Sequence, residues 1–204
     1  MNRSELTEVF PYLNPKFTTG VVYEDGSFND ARLLLTAALT ATVGNGIKMP
    51  DFFVPANVVN RAEFVDFLKN EEGKVIGATF KDQLTNKTYK VEAKYVVNCT
   101  GVWADTLRLL DNPKVNKRLC LVGGSHIVYD NRIASSTFGI AAPSSDGRIV
   151  LIQPWLGRVL AGTTEKKIDK PTNNPTCSDE ERKFINTSVM DFMSQLDIPT
   201  FFEF

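Results

Sequence analysis

Residues 94–105, KYVVNCTGVWAD, decide the fold class of this chain. A continuously apolar run, Tyr95–Val97, precedes small and polar residues and then a stretch with helical periodicity. This order is typical of a buried parallel strand that ends in a tight turn before a helix. Open α/β sheets bind ligands at the carboxyl ends of such strands, so the turn NCTG at 98–101 is a candidate ligand site. An ordinary strand-to-helix turn explains the same residues equally well.

The residues before this stretch predict one long helix and an antiparallel meander. The sequence DARLLLTAALTATV predicts a helix over 30–43, which Asn29 or Asp30 caps and the glycines of GNG stop. Its apolar residues lie on almost every side, which predicts a helix sandwiched between a sheet and a second element. The predicted strands are VVY at 21–23, IKM at 47–49, FVDFLK at 64–69, KVIGATFK at 74–81 and the alternating run that begins at Thr88.

The residues from 114 to 170 predict a second sheet of a different kind. The segments SSDGR at 144–148 and PWLGR at 154–158 lie between apolar runs and have the composition of hairpin turns. An antiparallel sheet is therefore expected here. A helix follows it, opened by Ser178 with Glu181 at the spacing of a capping box.

Composition and charge exclude several classes of partner. The chain of 204 residues is 43% hydrophobic with a formal net charge of −1, so it can bury a core but has no strong field to attract nucleic acid or an anionic membrane. Its three widely spaced cysteines match neither a disulfide framework nor a metal motif and favour a reducing compartment. No apolar run approaches the roughly 18 residues that span a bilayer, and the start MNRSELTEVF lacks the pattern of a secretion signal.

Familiar catalytic and nucleotide-binding motifs do not occur in the sequence. The closest approach to a dinucleotide fingerprint, GNGIKM at 44–49, lacks the third glycine and follows a helix where a strand is required. The sequence also has no Walker motif, no H-E-x-x-H and no G-x-S-x-G. Phosphate-loop nucleotidases, zinc proteases and α/β-hydrolases are therefore unsupported.

Three segments carry candidate functional side chains. His126, the single histidine, follows two glycines in GGSHIV and is the default proton acceptor; a half-buried histidine satisfied by hydrogen bonds is the alternative. Arg32 in NDAR either binds an anion or solvates a helix face. The segment AGTTE at 161–165 is either the rim of a site or the exit of a hairpin.

Five motifs in order resemble the FAD-dependent glycerol-3-phosphate dehydrogenases, especially the mitochondrial type. They are YEDGSFNDARLLLTAALTA, VVNCTGVWAD, GGSHIV, SSDGRIVLIQPW and LAGTTE, and the resemblance covers roughly 20–195. It implies a mixed α/β and α+β fold. Residues 1–110 would form part of a discontinuous FAD-binding domain, a parallel sheet with a β-meander, and 111–204 an antiparallel-sheet substrate-binding domain with helices.

The resemblance also implies that this chain is an internal fragment. The family places its G-x-G-x-x-G loop well before the matching region and a segment ending in S-G-x-R-P after it, and neither occurs here. The missing loop would explain how a nucleotide-binding fold lacks its phosphate cradle. We therefore expect the isolated chain neither to hold FAD tightly nor to turn over substrate.

Individual residues take roles from the resemblance. His126 matches a histidine proposed to accept the hydroxyl proton of glycerol 3-phosphate. Thr100 and Gly101 match the N-A-T-G turn near the flavin, where Cys99 replaces alanine, and Trp103 follows the family's aromatic position.

The substrate side is implied by two more matches. Arg32 matches the arginine of D-A-R, which either contacts substrate or braces its helix, and Thr163 belongs to a G-T-T-D segment and is expected to contact substrate. Here the last residue of that segment is Glu165, one methylene longer, which changes the geometry of any direct contact.

The resemblance implies an activity and a location. The expected reaction oxidises sn-glycerol 3-phosphate to dihydroxyacetone phosphate and passes electrons through FAD to quinone. The expected location is the surface of the mitochondrial inner membrane, or alternatively of the bacterial cytoplasmic membrane, with a homo-oligomer compatible with either. Two alternatives stay open: another FAD-dependent amine or 2-hydroxy-acid oxidoreductase of the same superfamily, and a noncatalytic ligand-binding module.

Overall fold

The computed structural model describes residues 1–46, 48–133, 137–144 and 146–194. Contacts divide the chain into two compact units. We call residues 24–118 the meander unit, and residues 1–23 together with those from 119 onward the core unit. This division differs from the predicted domains, 1–110 and 111–204, in the first 23 residues and at 111–118. What each domain binds stays a prediction.

The described residues form helices and strands in the following order. They are α1 (Arg3–Val9), α2 (Asp30–Val43), β1 (Ala62–Lys69), β2 (Val75–Asp82), β3 (Thr88–Glu92), α3 (Ala104–Asp111), β4 (Val122–Gly123), β5 (His126–Tyr129), β6 (Ile140–Pro143), β7 (Ile149–Trp155), β8 (Arg158–Gly162), β9 (Lys166–Lys167) and α4 (Asp179–Phe192). Short 3₁₀ turns occupy Gly44–Gly46, Gly101–Trp103 and Asn131–Ile133.

An antiparallel meander forms the sheet of the meander unit, in the order β1-β2-β3. Phe64 pairs with Phe80 across β1 and β2, and the ring of Phe67 lies 4.9 Å from that of Phe64, centroid to centroid. Cross-strand aromatic pairs of this kind stabilise a sheet face. The predicted strands at 64–69, 74–81 and from Thr88 are confirmed.

Helix α2 has the predicted bounds but not the predicted surroundings. The Asn29 side chain accepts a hydrogen bond from the backbone N–H of Arg32 at 3.0 Å, and Gly44 ends the helix in the left-handed conformation. None of its residues is buried, and Leu34 is 72% exposed. The prediction of a sandwiched helix is therefore wrong for this chain, because the described residues place no second layer over its apolar sides.

The stretch 94–97 also differs from its prediction. It forms no strand, and Tyr95 and Val97 are 87% and 79% exposed. The prediction of a buried strand is wrong here. An apolar run indicates that its side chains favour burial, but it does not indicate which residues cover them. The run 21–23 is likewise exposed and not a strand. Of the predicted strand at 47–49, Ile47 lies outside the described residues, and Lys48 and Met49 form no strand.

The core unit contains a four-stranded antiparallel sheet in the order β5-β8-β7-β6, with α4 packed on it. The prediction of an antiparallel sheet is confirmed, and so is the mixed fold class. Inward-facing residues alternate along the strands, as in Val150 and Ile152 of β7, which are fully buried. The core they form contains Ile127, Tyr129, Ile133, Ala142, Val150, Ile152, Val159, Ala161, Ile185, Val189, Phe192 and Met193.

Part of the first 23 residues packs on the same core, although the whole meander unit lies between them in the sequence. The guanidinium of Arg3 donates hydrogen bonds to the carbonyls of Leu13, Asn14 and Phe17. The Phe17 ring in turn lies 5.4 Å from that of Phe192 at the end of α4. Sequence analysis missed this contact because nothing in a local pattern reports it.

Neither a membrane helix nor a metal centre is found in the part of the chain that the structure describes. No described helix combines the length and the apolar character needed to cross a bilayer. No described group of histidine, cysteine and carboxylate side chains is arranged to hold a metal ion.

Candidate active site

His126 lies at the start of β5, opposite Gly162 of β8. The residue is exposed as a whole, but one edge of its ring lies against the backbone of β8. A Cβ added to Gly162 would come within 2.6 Å of the imidazole Cδ2 and 2.9 Å of the Ser125 carbonyl oxygen. Glycine at 162 therefore makes room for the ring.

The environment of His126 suits a proton acceptor. Partial burial lowers the pKa of His126 from its ordinary value of 6.5, so the imidazole is neutral at pH 7 and carries a free nitrogen lone pair. No hydrogen bond to the imidazole is found among the described residues. The alternative of a histidine satisfied by hydrogen bonds therefore has no support among them.

The two segments that sequence analysis selected, GGSHIV and AGTTE, lie side by side. The backbone N–H of Ser125 donates to Oγ1 of Thr164 at 2.8 Å, and the N–H of Thr164 donates to the Ser125 carbonyl at 3.3 Å. A Cβ added to Gly124 would lie 2.3 Å from the carbonyl oxygen of Thr164. The second glycine of GGSHIV thus permits the close approach, and the segment AGTTE, which leaves the β7–β8 hairpin, lies beside His126.

The carboxylate of Glu181, which sequence analysis did not place in the site, contacts both Ser125 and Thr164. Oε1 of Glu181 accepts hydrogen bonds from the hydroxyls of Ser125 at 3.1 Å and Thr164 at 2.7 Å. Its Oε2 accepts from the backbone N–H and the hydroxyl of Ser178, which confirms the predicted capping box. The bonds to Oε1 join Glu181 to residues far from it in the sequence, and no local pattern indicates them.

The charge of Glu181 is fixed by these bonds. Burial raises the pKa of Glu181, but the hydrogen bonds from Ser178, Thr164 and Ser125 together lower it by more, so that the pKa is about 2. The carboxylate is therefore ionised throughout the neutral range and only accepts hydrogen bonds.

Thr163 and Glu165, on either side of Thr164, have different surroundings. Thr163 is exposed, and its hydroxyl donates to the carbonyl of Thr164 at 2.9 Å. It follows Gly162 directly and so lies next to the strand position that faces His126. Glu165 is exposed, and its carboxylate has no hydrogen bond within the described ranges; its charge lies near Arg148, whose pKa it helps to raise.

The predicted cofactor residues form a bend in the meander unit. Oδ1 of Asn98 accepts from the N–H and the hydroxyl of Thr100, at 3.2 and 2.7 Å, and its Nδ2 donates to the carbonyl of Ala104. Gly101 has a φ of +56° and begins the 3₁₀ turn that leads through Trp103 into α3. The prediction of a turn followed by a helix is confirmed.

This bend leaves the backbone of Gly101 open to approach. A Cβ added to Gly101 would meet nothing within 4 Å, so the glycine leaves open space beside the backbone that a flat ligand can approach. Thr100 and Trp103 are half-buried next to it. The bend provides no cation and no glycine-rich loop for a pyrophosphate.

Arg32 also belongs to the meander unit, in the first turn of α2. Its side chain is exposed, and its guanidinium forms no ion pair among the residues described. The bracing role considered for it therefore rests on no described side-chain contact. His126 and Thr163 lie in the core unit, and Arg32, Thr100, Gly101 and Trp103 lie in the meander unit.

An open cleft of about 670 Å³ lies within the meander unit, and sequence analysis did not predict it. Its apolar lining includes Phe67 of β1, Ile76 of β2 and Leu107 of α3. Asn98 contributes to the wall, so the cleft extends to the bend.

Comparison with known proteins gives a consistent family. Residues 1–202 match the pattern of the FAD dependent oxidoreductase family. The chain is 33% identical over 198 residues to a probable mitochondrial glycerol-3-phosphate dehydrogenase of Caenorhabditis elegans, covering 96% of this chain and 26% of that protein. It is 35% identical over 201 residues to the mitochondrial glycerol-3-phosphate dehydrogenase of Mesocricetus auratus, covering 95% and 26%. The chain thus spans about a quarter of the length of these curated relatives.

Solved structures agree with this result. The glycerol-3-phosphate dehydrogenase of Bacillus halodurans, solved in complex with FAD, matches with a TM-score of 0.84 and 30% identity over 98% of this chain and 38% of that one. L-Proline dehydrogenase of P. horikoshii matches with a TM-score of 0.67 over the whole chain and half of its own, but at 16% identity this likeness shows the fold alone.

Proposed function

The chain belongs to the family of FAD-dependent oxidoreductases, and we propose that it is the segment of such an enzyme that presents the proton acceptor for oxidation of sn-glycerol 3-phosphate to dihydroxyacetone phosphate. The named relatives at 33–35% identity support this substrate. The observation that carries the proposal is His126, an imidazole kept neutral by partial burial and free of hydrogen-bond partners in the described ranges, at the exposed end of β5.

The reaction requires a base on the alcohol. Oxidation of a secondary alcohol removes the hydroxyl proton and, as hydride, the hydrogen on the carbon that bears the hydroxyl, and the C–O bond becomes a carbonyl. A ring nitrogen of His126 accepts the proton, because its lone pair is available at neutral pH. FAD, when bound, supplies the acceptor for the hydride.

The other predicted residues take supporting roles in this proposal. Thr100, Gly101 and Trp103 would hold the flavin. Thr163 orients the substrate next to His126, where its hydroxyl oxygen keeps a free lone pair to accept a hydrogen bond. The exposed guanidinium of Arg32 is a cation suited to the substrate phosphate.

Electron transfer to quinone and a peripheral position on the mitochondrial inner membrane complete the proposal. The mitochondrial names of the relatives support the compartment. Recovery of the protein with mitochondrial membranes, and its release by high salt, would support the mitochondrial compartment and the peripheral membrane position. A protein found only in the soluble fraction would contradict the membrane part alone.

The test of the proposed function is His126→Ala in the complete enzyme, with turnover of glycerol 3-phosphate followed by reduction of an artificial electron acceptor. The variant should lower kcat by about two to four orders of magnitude, the usual contribution of a general base. Lys183→Ala, an exposed change on α4, is the control and should leave kcat unchanged. An unchanged kcat in His126→Ala would reject the proton-acceptor role.

Substrate identity needs a separate comparison. The wild-type enzyme should turn over glycerol 3-phosphate faster than any member of a panel of 2-hydroxy acids and amino acids. Preference for an amino acid would replace glycerol-3-phosphate oxidation with the alternative oxidoreductase. Failure to oxidise any of them, together with tight binding of one, would favour the noncatalytic module.

A further inference from the structure

The hydroxyls of Ser125 and Thr164 connect the proposed base to a distant helix. Ser125 immediately precedes His126, and Thr164 lies two residues after Gly162, the strand partner of His126. Both are buried, at 8% and 3% exposure, and both donate to Oε1 of Glu181 on α4. We propose that Glu181 is a positioning residue, which holds His126 in place through Ser125 and Thr164; this rests on the proposed function.

The direction of each hydrogen bond follows from the carboxylate. Because an ionised carboxylate only accepts, the Thr164 hydroxyl must donate to Glu181 and use a lone pair for the backbone N–H of Ser125. The chain of bonds therefore runs one way, from the Ser125 N–H through Thr164 to Glu181. A single carboxylate oxygen sets the orientation of both hydroxyls.

This arrangement exceeds what a helix cap requires. The capping box needs Oε2 alone, which accepts from the backbone and the side chain of Ser178. Oε1 is left to bind the two segments beside the base. Glu181 thus ties the start of α4 to the ends of β5 and β8, where His126 is placed.

Removal of the network leaves buried donors without acceptors. Without the Thr164 hydroxyl, the Ser125 N–H loses its acceptor in a place that water reaches poorly, and such a loss is costly. These groups can regain hydrogen bonds, to water, only if the segments around Ser125 and Thr164 separate. Since the imidazole edge lies against Gly162, separation moves His126 directly.

The experiment uses the single histidine of the chain as a probe. Because His126 is the only imidazole, its NMR cross peaks are unambiguous. Thr164→Val removes the hydroxyl and keeps the shape, whereas Thr164→Ser keeps the hydroxyl. Glu181→Gln removes the charge and replaces one accepting oxygen with an amide NH2 that only donates, and Glu180→Gln removes an equal charge from the preceding position, whose side chain is exposed.

We expect Thr164→Val and Glu181→Gln to shift the His126 cross peaks and to speed amide exchange at Ser125 about tenfold. Thr164→Ser and Glu180→Gln should resemble the wild type in both measurements. If Glu181→Gln fails to fold, the Thr164→Val and Thr164→Ser pair decides. Identical His126 signals in Thr164→Val, Thr164→Ser and the wild type would overturn the proposal.

A kinetic measurement separates this inference from the proposed function. In the complete enzyme, Glu181→Gln should lower kcat about tenfold with little change in KM, and Glu180→Gln should change neither. If His126→Ala has no effect on kcat while Glu181→Gln still shifts the His126 signals, the proton-acceptor role fails and the positioning role stands. If His126→Ala lowers kcat and Glu181→Gln changes neither the signals nor kcat, the positioning role fails.

Discussion

The core unit and the meander unit bury their apolar residues to very different extents. Except for Ala78, every buried apolar residue that the structure describes lies in the core unit. The meander unit instead exposes large apolar side chains on α2 and in 94–97, with Leu34 at 72% and Tyr95 at 87%. The two units are built from the same kinds of residue, so composition does not explain the contrast.

The difference lies in how far apart in the sequence the packing partners are. Hairpins with short turns join β6, β7 and β8, and α4 follows soon enough to cover them, although β5 pairs with β8 across the two strands between them in the sequence. A parallel strand such as the one predicted at 94–97 requires neighbours brought by crossover connections of a dozen or more residues. Much of an antiparallel core can therefore form from neighbouring hairpins, whereas a parallel layer depends on remote segments.

The largest expected effect is the difference in stability between truncating a buried aromatic side chain and truncating an exposed aliphatic one. Phe192 is fully buried, and Phe192→Ala should lower the free energy of unfolding of the core unit by about 3–5 kcal/mol. Leu34→Ala on α2 should change unfolding by less than about 0.5 kcal/mol, as expected for a surface position. Urea denaturation measures both.

The two tryptophans allow each unit to be followed separately. Trp155 lies in the core unit and Trp103 in the meander unit, so Trp103→Phe leaves a reporter for the first and Trp155→Phe one for the second. Equal losses of stability from Phe192→Ala and Leu34→Ala would contradict the contrast between the units.

Amide exchange should show the second-largest difference. The backbone amides of β7 and β8 should exchange at least about a hundredfold more slowly than those of α2, because an uncovered helix of 14 residues is marginally stable in water. Hydrogen exchange followed by mass spectrometry of peptic peptides measures this directly. Strong protection across α2 would show that something covers it in solution.

Acid should destabilise the core unit through Glu181. Its folded pKa of about 2 lies below the ordinary value of 4.5, so its contribution is fully present above pH 4.5 and is lost as the pH falls through 2. We expect the free energy of unfolding of the wild type to exceed that of Glu181→Gln by about 1–2 kcal/mol at pH 7. This difference should narrow as the pH falls from 4.5 to 2.

The acid measurement has its own control. Asp130 and Asp146 of the core unit also have lowered pKa values, mainly because their carboxylates accept hydrogen bonds from Arg132 and Arg148, and they contribute equally to both proteins. Glu180→Gln should run parallel to the wild type at every pH. A gap between wild type and Glu181→Gln that stays constant from pH 7 to pH 2 would refute the assignment.

The smallest expected effect is a gain of stability in the β7–β8 hairpin. Leu156 and Gly157 have φ angles of 48° and 75°, the pattern of a type I′ turn, where asparagine is favoured over leucine. Leu156 is 81% exposed, so Leu156→Asn sacrifices little burial and should add about 1 kcal/mol to core-unit stability. Leu156→Ala retains the unfavourable angle and should add nothing; an equal gain from both variants would contradict the turn argument.

Sequence patterns predicted the elements whose causes are local. The bounds of α2 follow from Asn29 and Gly44, the capping box from Ser178 and Glu181, and the β7–β8 hairpin from its turn residues, so neighbours within a few positions determine them. The ordered motifs also predicted the family that the comparisons confirm.

Packing over long sequence distances determined the rest. Residues 1–23 join the core beside Phe192, Glu181 reaches the hydroxyls of Ser125 and Thr164, and the apolar sides of α2 stay uncovered in the described part of the chain. An apolar or polar side chain reveals in the sequence that it favours a partner. Which partner it finds depends on where the whole chain places distant backbone segments, and that information exists only in three dimensions.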